Sequence, residues 1–230
     1  MTSPRAPFDA LLFDFDGTLS RLTIDFTRLR RKVSALAEAF LGEEPEPSEL
    51  PVLEWLDVIA EEIAHMDEDL AKQFHTRGRF IVQATELDAA RDAELFDFTR
   101  PMLLSLRAAG VKTGVLTRNS TAAVKSVFPD ISSCCDAFMA REDTPNVKPH
   151  PDHALGLLER LAVAPGSALL VGDHPLDMET ARRAGLASAA VTSGHCERQA
   201  LQEARPDYLV QDCRELLSVL SGLSLLPKLS

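Results

Sequence analysis

The chain has 230 residues, with 24 Lys plus Arg against 35 Asp plus Glu and a formal net charge of −11. A hydrophobic fraction of 45% and a charged fraction of 26% suit a soluble globular protein with a sizeable core. They exclude disorder, a collagen-like repeat and a small disulfide scaffold. The acidic balance argues against wrapping a nucleic-acid backbone, which needs a basic face. No unbroken apolar run approaches the ~18 residues of a membrane span, and residues 1–7 lack the apolar stretch of a signal peptide. Cys134 and Cys135 are adjacent, and Cys196 and Cys213 stand apart. They form neither a disulfide framework nor, even with His195 beside Cys196, a zinc set. The expectation is a cytoplasmic protein with no nucleic-acid or membrane partner.

In chain order, residues 8–13 are a short apolar run closed by a polar turn and predict a buried strand. From residue 20 to residue 96 the pattern changes. Phe26, Leu29, Val33, Leu36 and Phe40 recur at helical spacing, as do Val52, Leu56, Ile59, Ile63 and Met66. Pro45, Pro47 and Pro51 separate the two stretches. This segment reads as an all-helical insertion, placed where a lid would be. Beyond it a helix ends at Arg107-Ala108-Ala109-Gly110 with a glycine stop. Strands are predicted at 111–116, 136–139, 168–171, 187–191 and 207–210, and helices at 121–128, 151–161, 177–184, 197–203 and 214–220. Apolar strands alternating with helices imply an α/β fold, a Rossmann-like parallel sheet with helices on both faces. That core takes residues 1–19 and 97–230, and the helical cap takes 20–96.

Asp14-Phe15-Asp16-Gly17-Thr18-Leu19 follows the first strand, at the carboxyl edge where open α/β sheets bind ligands. Two carboxylates there repel one another unless a cation lies between them. Gly17 lets the backbone turn sharply, and Thr18 can bond an anion or a neighbouring carboxylate. An EF-hand loop would place its glycine sixth and follow a helix; here the glycine is fourth and a strand precedes it. Gly172-Asp173-His174-Pro175-Leu176-Asp177 follows another strand. Asp177 alone could be a helix cap, but with Asp14, Asp16 and Asp173 it completes an oxygen-only cluster that suits Mg²⁺.

Leu116-Thr117-Arg118-Asn119-Ser120 ends the second strand and opens a helix, so its hydroxyls and backbone amides make an anion seat. Lys148, followed by Pro149, supplies a counter-ion for phosphate. The combination specifies phosphoryl transfer. Asp14 attacks phosphorus to give an aspartyl-phosphate, and Asp16 protonates the leaving oxygen and then activates water. Mg²⁺, Lys148 and the seat formed by Thr117 and Arg118 spread the developing charge.

With these four motifs in order, the sequence resembles the haloacid dehalogenase superfamily of phosphatases, most closely the phosphoglycolate phosphatase-like group with a small helical cap. The resemblance implies Asp14 as nucleophile and Asp16 as acid/base, with Mg²⁺ held by Asp14, the Asp16 carbonyl and Asp173. Asp177 would support the metal or orient Lys148, and Thr117 with the following amide would bind the phosphoryl group. Asp16 favours phosphate esters over carbon–halogen bonds. A phosphonate-cleaving relative would need a Schiff-base lysine in the cap, and Lys32 and Lys72 lie in no such context. A sugar phosphomutase is the alternative, with His65 and His75 as cap acid/base candidates. A non-catalytic binding protein is a third, argued against by intact Asp14, Asp16, Lys148 and Asp173.

The expected substrate is a small phosphate ester, phosphoglycolate-like or a sugar phosphate, and the expected state is a monomer or homodimer. Arg77-Gly78-Arg79 is a compact basic spot in the cap, where Gly78 is expected to break a helix and two arginines could clamp a substrate carboxylate. A solvated helix face is the plainer account of that spot, and Arg21 and Arg118 are alternative specificity residues.

Overall fold

The computed structural model describes residues 6–21 and 24–228. The reading of the amino-terminal residues as lacking a signal peptide falls on residues 1–5 for the most part, outside the described residues. The chain divides into two compact units, Met1–Leu22 with Ala93–Ser230, and Thr23–Asp92.

The first unit is a six-stranded sheet in the order β3-β2-β1-β4-β5-β6. Its strands are β1 (Ala10–Phe13), β2 (Lys112–Leu116), β3 (Ala137–Met139), β4 (Ala168–Gly172), β5 (Ala187–Val191) and β6 (Tyr208–Val210). Every neighbouring pair is parallel. All four residues of β1 are buried, because both faces of the sheet are covered. Strand alternation sends Leu11 and Phe13 into one core with Val115, Val171 and Leu216, and Ala10 and Leu12 into the other with Leu157, Leu158 and Ala181. β1 begins at Ala10 rather than at residue 8, since the Phe8 and Asp9 amides bond to Leu225 and Ser167. At Gly114 in β2 an added Cβ would come within 2.9 Å of both Leu12 and Leu157, so this glycine lets a helix lie close on the sheet.

The described residues of the second unit hold three helices, α1 (Phe26–Leu41), α2 (Val52–Ala64) and α3 (Glu68–Ala89). Asp25 caps α1 by accepting from the Arg28 amide, and Gly42 ends it in the left-handed region at φ 83°. Asp67 caps α3 through the amides of Asp69 and Leu70. Trp55, Leu56, Ile59, Ile63, Phe74 and Val82 form its core. Phe26 and Met66, at the ends of the two predicted stripes, are 48% and 61% exposed: Phe26 is the first residue of α1, and Met66 lies beyond the end of α2. Gly78 does not break a helix: α3 runs through it without interruption. An added Cβ there would collide with Leu56 of α2, so the glycine serves close helix–helix approach.

The helices of the first unit are α4 (Thr99–Ala108), α5 (Thr121–Val127), α6 (Ile131–Cys134), α7 (Pro151–Leu161), α8 (Pro175–Ala184), α9 (Arg198–Glu203) and α10 (Cys213–Gly222). The chain leaves and re-enters this unit through a short zipper. Arg21 N–H donates to Glu94 O at 2.8 Å, Phe96 N–H to Leu19 O at 3.0 Å, and the Thr99 hydroxyl to Leu19 O at 2.6 Å. These bonds tie Leu19 and Arg21 to Glu94, Phe96 and Thr99 within the sheet unit.

Gly78→Val should destabilise the protein by about 1–3 kcal/mol, the usual cost of overpacking a filled core. Urea unfolding of the full chain reads this directly; an unchanged midpoint would show that Leu56 is free to turn aside.

Candidate active site

β1 is the centre of the site because it pairs with β2 on one side and β4 on the other, at the point where the strand order reverses. Phe13 lies opposite both Val115 and Val171, so the residues after all three strands emerge together at one edge. The Asp14 amide closes on Val171 O at 2.8 Å and sets the start of the first loop beside β4.

That loop turns at Gly17, whose φ of 80° only glycine adopts freely. A Cβ on Gly17 or on Gly194 would collide with the Asp173 carboxylate. Ser193 Oγ donates to Gly17 O at 2.7 Å, and Thr18 Oγ1 donates to Asp173 Oδ1 at 3.4 Å. Asp173 is thus walled in by two glycines and a hydroxyl.

Lys148 Nζ lies 2.7 Å from Asp14 Oδ1 and 2.6 Å from Asp177 Oδ1, with its side chain 3% exposed. Asp177 Oδ2 accepts from the His174 amide at 3.1 Å, so this aspartate both caps α8 and orients the lysine. Burial opposes the lysine's charge, but the two carboxylates overcome it and hold its pKa above the lysine range.

Carboxylate oxygens of Asp14, Asp173 and Asp177 all lie within 4.8 Å of one another. Fully ionised, these three carboxylates would face the one ammonium of Lys148 with an excess of two negative charges, which burial opposes. Burial, reinforced by Asp14 and Asp177, pushes Asp173 up to about 8. Burial likewise pushes Asp14 up to about 6, although Lys148 pulls the other way. A hard divalent cation matches this oxygen-only set and its charge deficit, so the residues present fit Mg²⁺. Asp177 supplies the third carboxylate beside Asp14 and Asp173, and the Asp16 side chain turns to Asn119, its Oδ2 accepting from Asn119 Nδ2 at 2.9 Å.

The Thr117 turn is more self-contained than its sequence suggests. Thr117 N–H donates to Met139 O at 3.0 Å, and Thr117 Oγ1 accepts from the Asn119 amide at 3.1 Å. The Ser120 amide donates to Asn119 Oδ1 at 2.8 Å. Two amides expected to face an anion are therefore engaged within the turn. The Thr117 hydroxyl keeps its proton for an acceptor. Arg118 Nη1 donates to Lys148 O, which ties this guanidinium to the lysine's loop.

Arg77 lies over the Phe40 ring of α1, 5.4 Å from its centroid, while Arg79 reaches Asp57 of α2 at 3.5 Å. Residues two apart on a helix point to different sides, so the two guanidiniums do not form a clamp. His75 bonds Asp57 at 2.9 Å. Arg21 lies over Phe96 at 5.5 Å. Sequence reasoning gave no role to Asn119, His153, Ser193 or Gly194. Only Gly194, a glycine just past a strand, carried a local signal.

A family model described as haloacid dehalogenase-like hydrolase matches residues 11–191. Phosphoglycolate phosphatase of Escherichia coli (strain K12) is 33% identical over 128 residues, 55% of this chain and 51% of that protein. The matched stretch thus spans about half the length of that curated relative. A protein of Clostridium perfringens (strain 13 / Type A), provisionally named pyrophosphatase PpaX, is 28% identical over 217 residues, 94% of this chain and 98% of its own. The crystal structure of a hydrolase from Pseudomonas syringae shares the fold with a TM-score of 0.68 at 18% identity, covering 93% of this chain and 98% of that one.

Without metal, folded Asp173 keeps to about pH 8 a proton that an unperturbed carboxyl releases near 3.8. The native state then binds more protons than the unfolded chain in that window, so this group costs stability as pH rises through it. In chelator, wild type should lose stability relative to Asp173→Asn between about pH 4 and about pH 8, by more than the ~1.4 kcal/mol of one pKa unit. Mg²⁺ should raise the wild-type Tm more at about pH 8 than at about pH 5, because its ligands must be deprotonated. Equal increments would overturn the cluster as a cation site.

Proposed function

The chain belongs to the haloacid dehalogenase-like hydrolases, and on that footing we propose that it hydrolyses a small phosphomonoester through an aspartyl-phosphate on Asp14. One observation carries the reading. Asp14, on the central strand's carboxyl end, contacts a buried lysine and shares a space with two further carboxylates.

Asp14 attacks phosphorus, and Lys148 keeps it ionised and correctly turned through the 2.7 Å contact. Asp16 protonates the leaving oxygen and later takes the proton of the hydrolytic water. Its hydrogen bond from Asn119 fixes the carboxyl within the loop that carries the nucleophile. The Thr117 hydroxyl donates to a phosphoryl oxygen. Asp14, Asp173 and Asp177 would hold Mg²⁺. When bound, the ion would neutralise the charge that gathers on the phosphoryl oxygens.

A phosphoglycolate-like ester or a sugar phosphate fits this reading, supported by the name of the E. coli relative. The C. perfringens relative's provisional name adds pyrophosphate to the substrates worth trying. The helical unit would act as the lid that excludes water until hydrolysis. A cytoplasmic setting belongs to the same reading, supported by four unpaired thiols. Among the described residues no helix is long and apolar enough to cross a membrane.

Phosphate release should be measured on phosphoglycolate, sugar phosphates and pyrophosphate, with and without Mg²⁺. Asp14→Asn should lower turnover by at least about 10³-fold, and Asp16→Asn by about 10²–10⁴-fold. Phosphoryl migration within a sugar phosphate, with no free phosphate, would instead establish a mutase. Full activity of Asp14→Asn would sink the aspartyl-phosphate mechanism.

A further inference from the structure

We propose that His153 and Arg118 are positioning residues that clamp the Lys148 peptide and register it against the Thr117 turn. The inference rests on the phosphatase reading, in which Lys148 and Thr117 face one phosphoryl group.

Lys148 reaches into the deepest part of the site, yet its backbone belongs to neither strand nor helix. A sheet or helix ladder would fix such a residue; here two side chains do so. The Lys148 amide donates to His153 Nδ1 at 3.3 Å, and the Lys148 carbonyl accepts from Arg118 Nη1. The two holders come from different elements, the first turn of α7 and the Thr117 turn.

The far side of the imidazole closes the connection. His153 Nε2 stands 3.4 Å from Met139 O, the carbonyl that also accepts the Thr117 amide at 3.0 Å. One carbonyl at the end of β3 is therefore shared by the residue that holds Lys148 and by the seat. Arg141 completes the circuit, donating from Nη1 to Arg118 O at 2.8 Å and from its amide to Asn119 O at 3.2 Å. Asn119 in turn holds Asp16.

With Nδ1 accepting, the single ring proton of His153 lies on Nε2, where it donates to Met139 O. The ring is fully buried, and that burial pushes its pKa down to about 4, which keeps it neutral. A packing role alone would require only bulk at this position. The clamp requires an acceptor at the Nδ1 place, since an error of about 1 Å in a catalytic group can cost about 10²-fold in rate.

The test uses the full chain with saturating Mg²⁺ and the best ester found above, comparing wild type with His153→Leu, His153→Asn and Arg118→Met. Leucine keeps bulk and loses the acceptor; asparagine places Oδ1 where Nδ1 stood. His153→Leu should lower kcat by at least about tenfold with KM within about threefold, while His153→Asn restores kcat to within about threefold of wild type. Arg118→Met should follow the leucine pattern. Asparagine as impaired as leucine, at equal Tm, would overturn the clamp. A raised KM with kcat intact in Arg118→Met would make Arg118 a phosphate ligand and overturn its half. Amide hydrogen exchange at Lys148, followed by NMR, decides independently of turnover. It should quicken by at least about tenfold in His153→Leu but not in His153→Asn. Unchanged exchange in His153→Leu overturns the clamp even if wild type proves inactive, an outcome that would itself sink only the phosphatase reading.

Discussion

Two buried carboxylates and the partly buried Asp14 share one ammonium at the carboxyl edge of the sheet, and much of the surrounding structure answers to that imbalance. Like charges this close in a space of low polarity are costly, so each must be held by something stronger than its own preference. Asp14 is held by its backbone bond to β4, Asp177 by the first turn of α8, and Asp173 by two glycines and Thr18. Lys148 removes one unit of the excess. With all three carboxylates ionised, the remaining two units match a divalent cation.

The sheet explains how such a site can exist. β1 and β4 are buried throughout and β2 is buried from Thr113 on, so the loops of the site start from a packed sheet edge. A rigid edge can support charged groups that a flexible loop would let drift apart. The connecting turns then need side-chain struts, since they lie outside any backbone ladder. Asn119, Arg118, His153 and Arg141 act in that way around Thr117 and Lys148.

The helical unit owes its fold to separate rules. Caps at Asp25, Asp67 and Gly42 set its helix ends, and a close approach at Gly78 sets how α3 meets α2. Arg77 and Arg79, on opposite sides of α3, spend their charge on Phe40 and Asp57. Their neighbours in sequence gave no hint of this, because position around a helix depends on which flanking helices come to lie against each face.

The alternation of buried strands and helices, the helical insertion, and the placing of Asp14, Asp173, Thr117 and Lys148 in strand-end loops were all legible in the chain alone. Each is written in adjacent residues: apolar period, glycine and proline punctuation, and the polar turn after an apolar run. Only the tertiary structure decided that the Asp16 side chain turns to Asn119. It also decided that Arg118 serves Lys148, and that a histidine in α7 holds the lysine's amide. Such pairings join residues far apart in the chain, and their partners are chosen by sheet register and side-chain reach, which local periodicity does not encode.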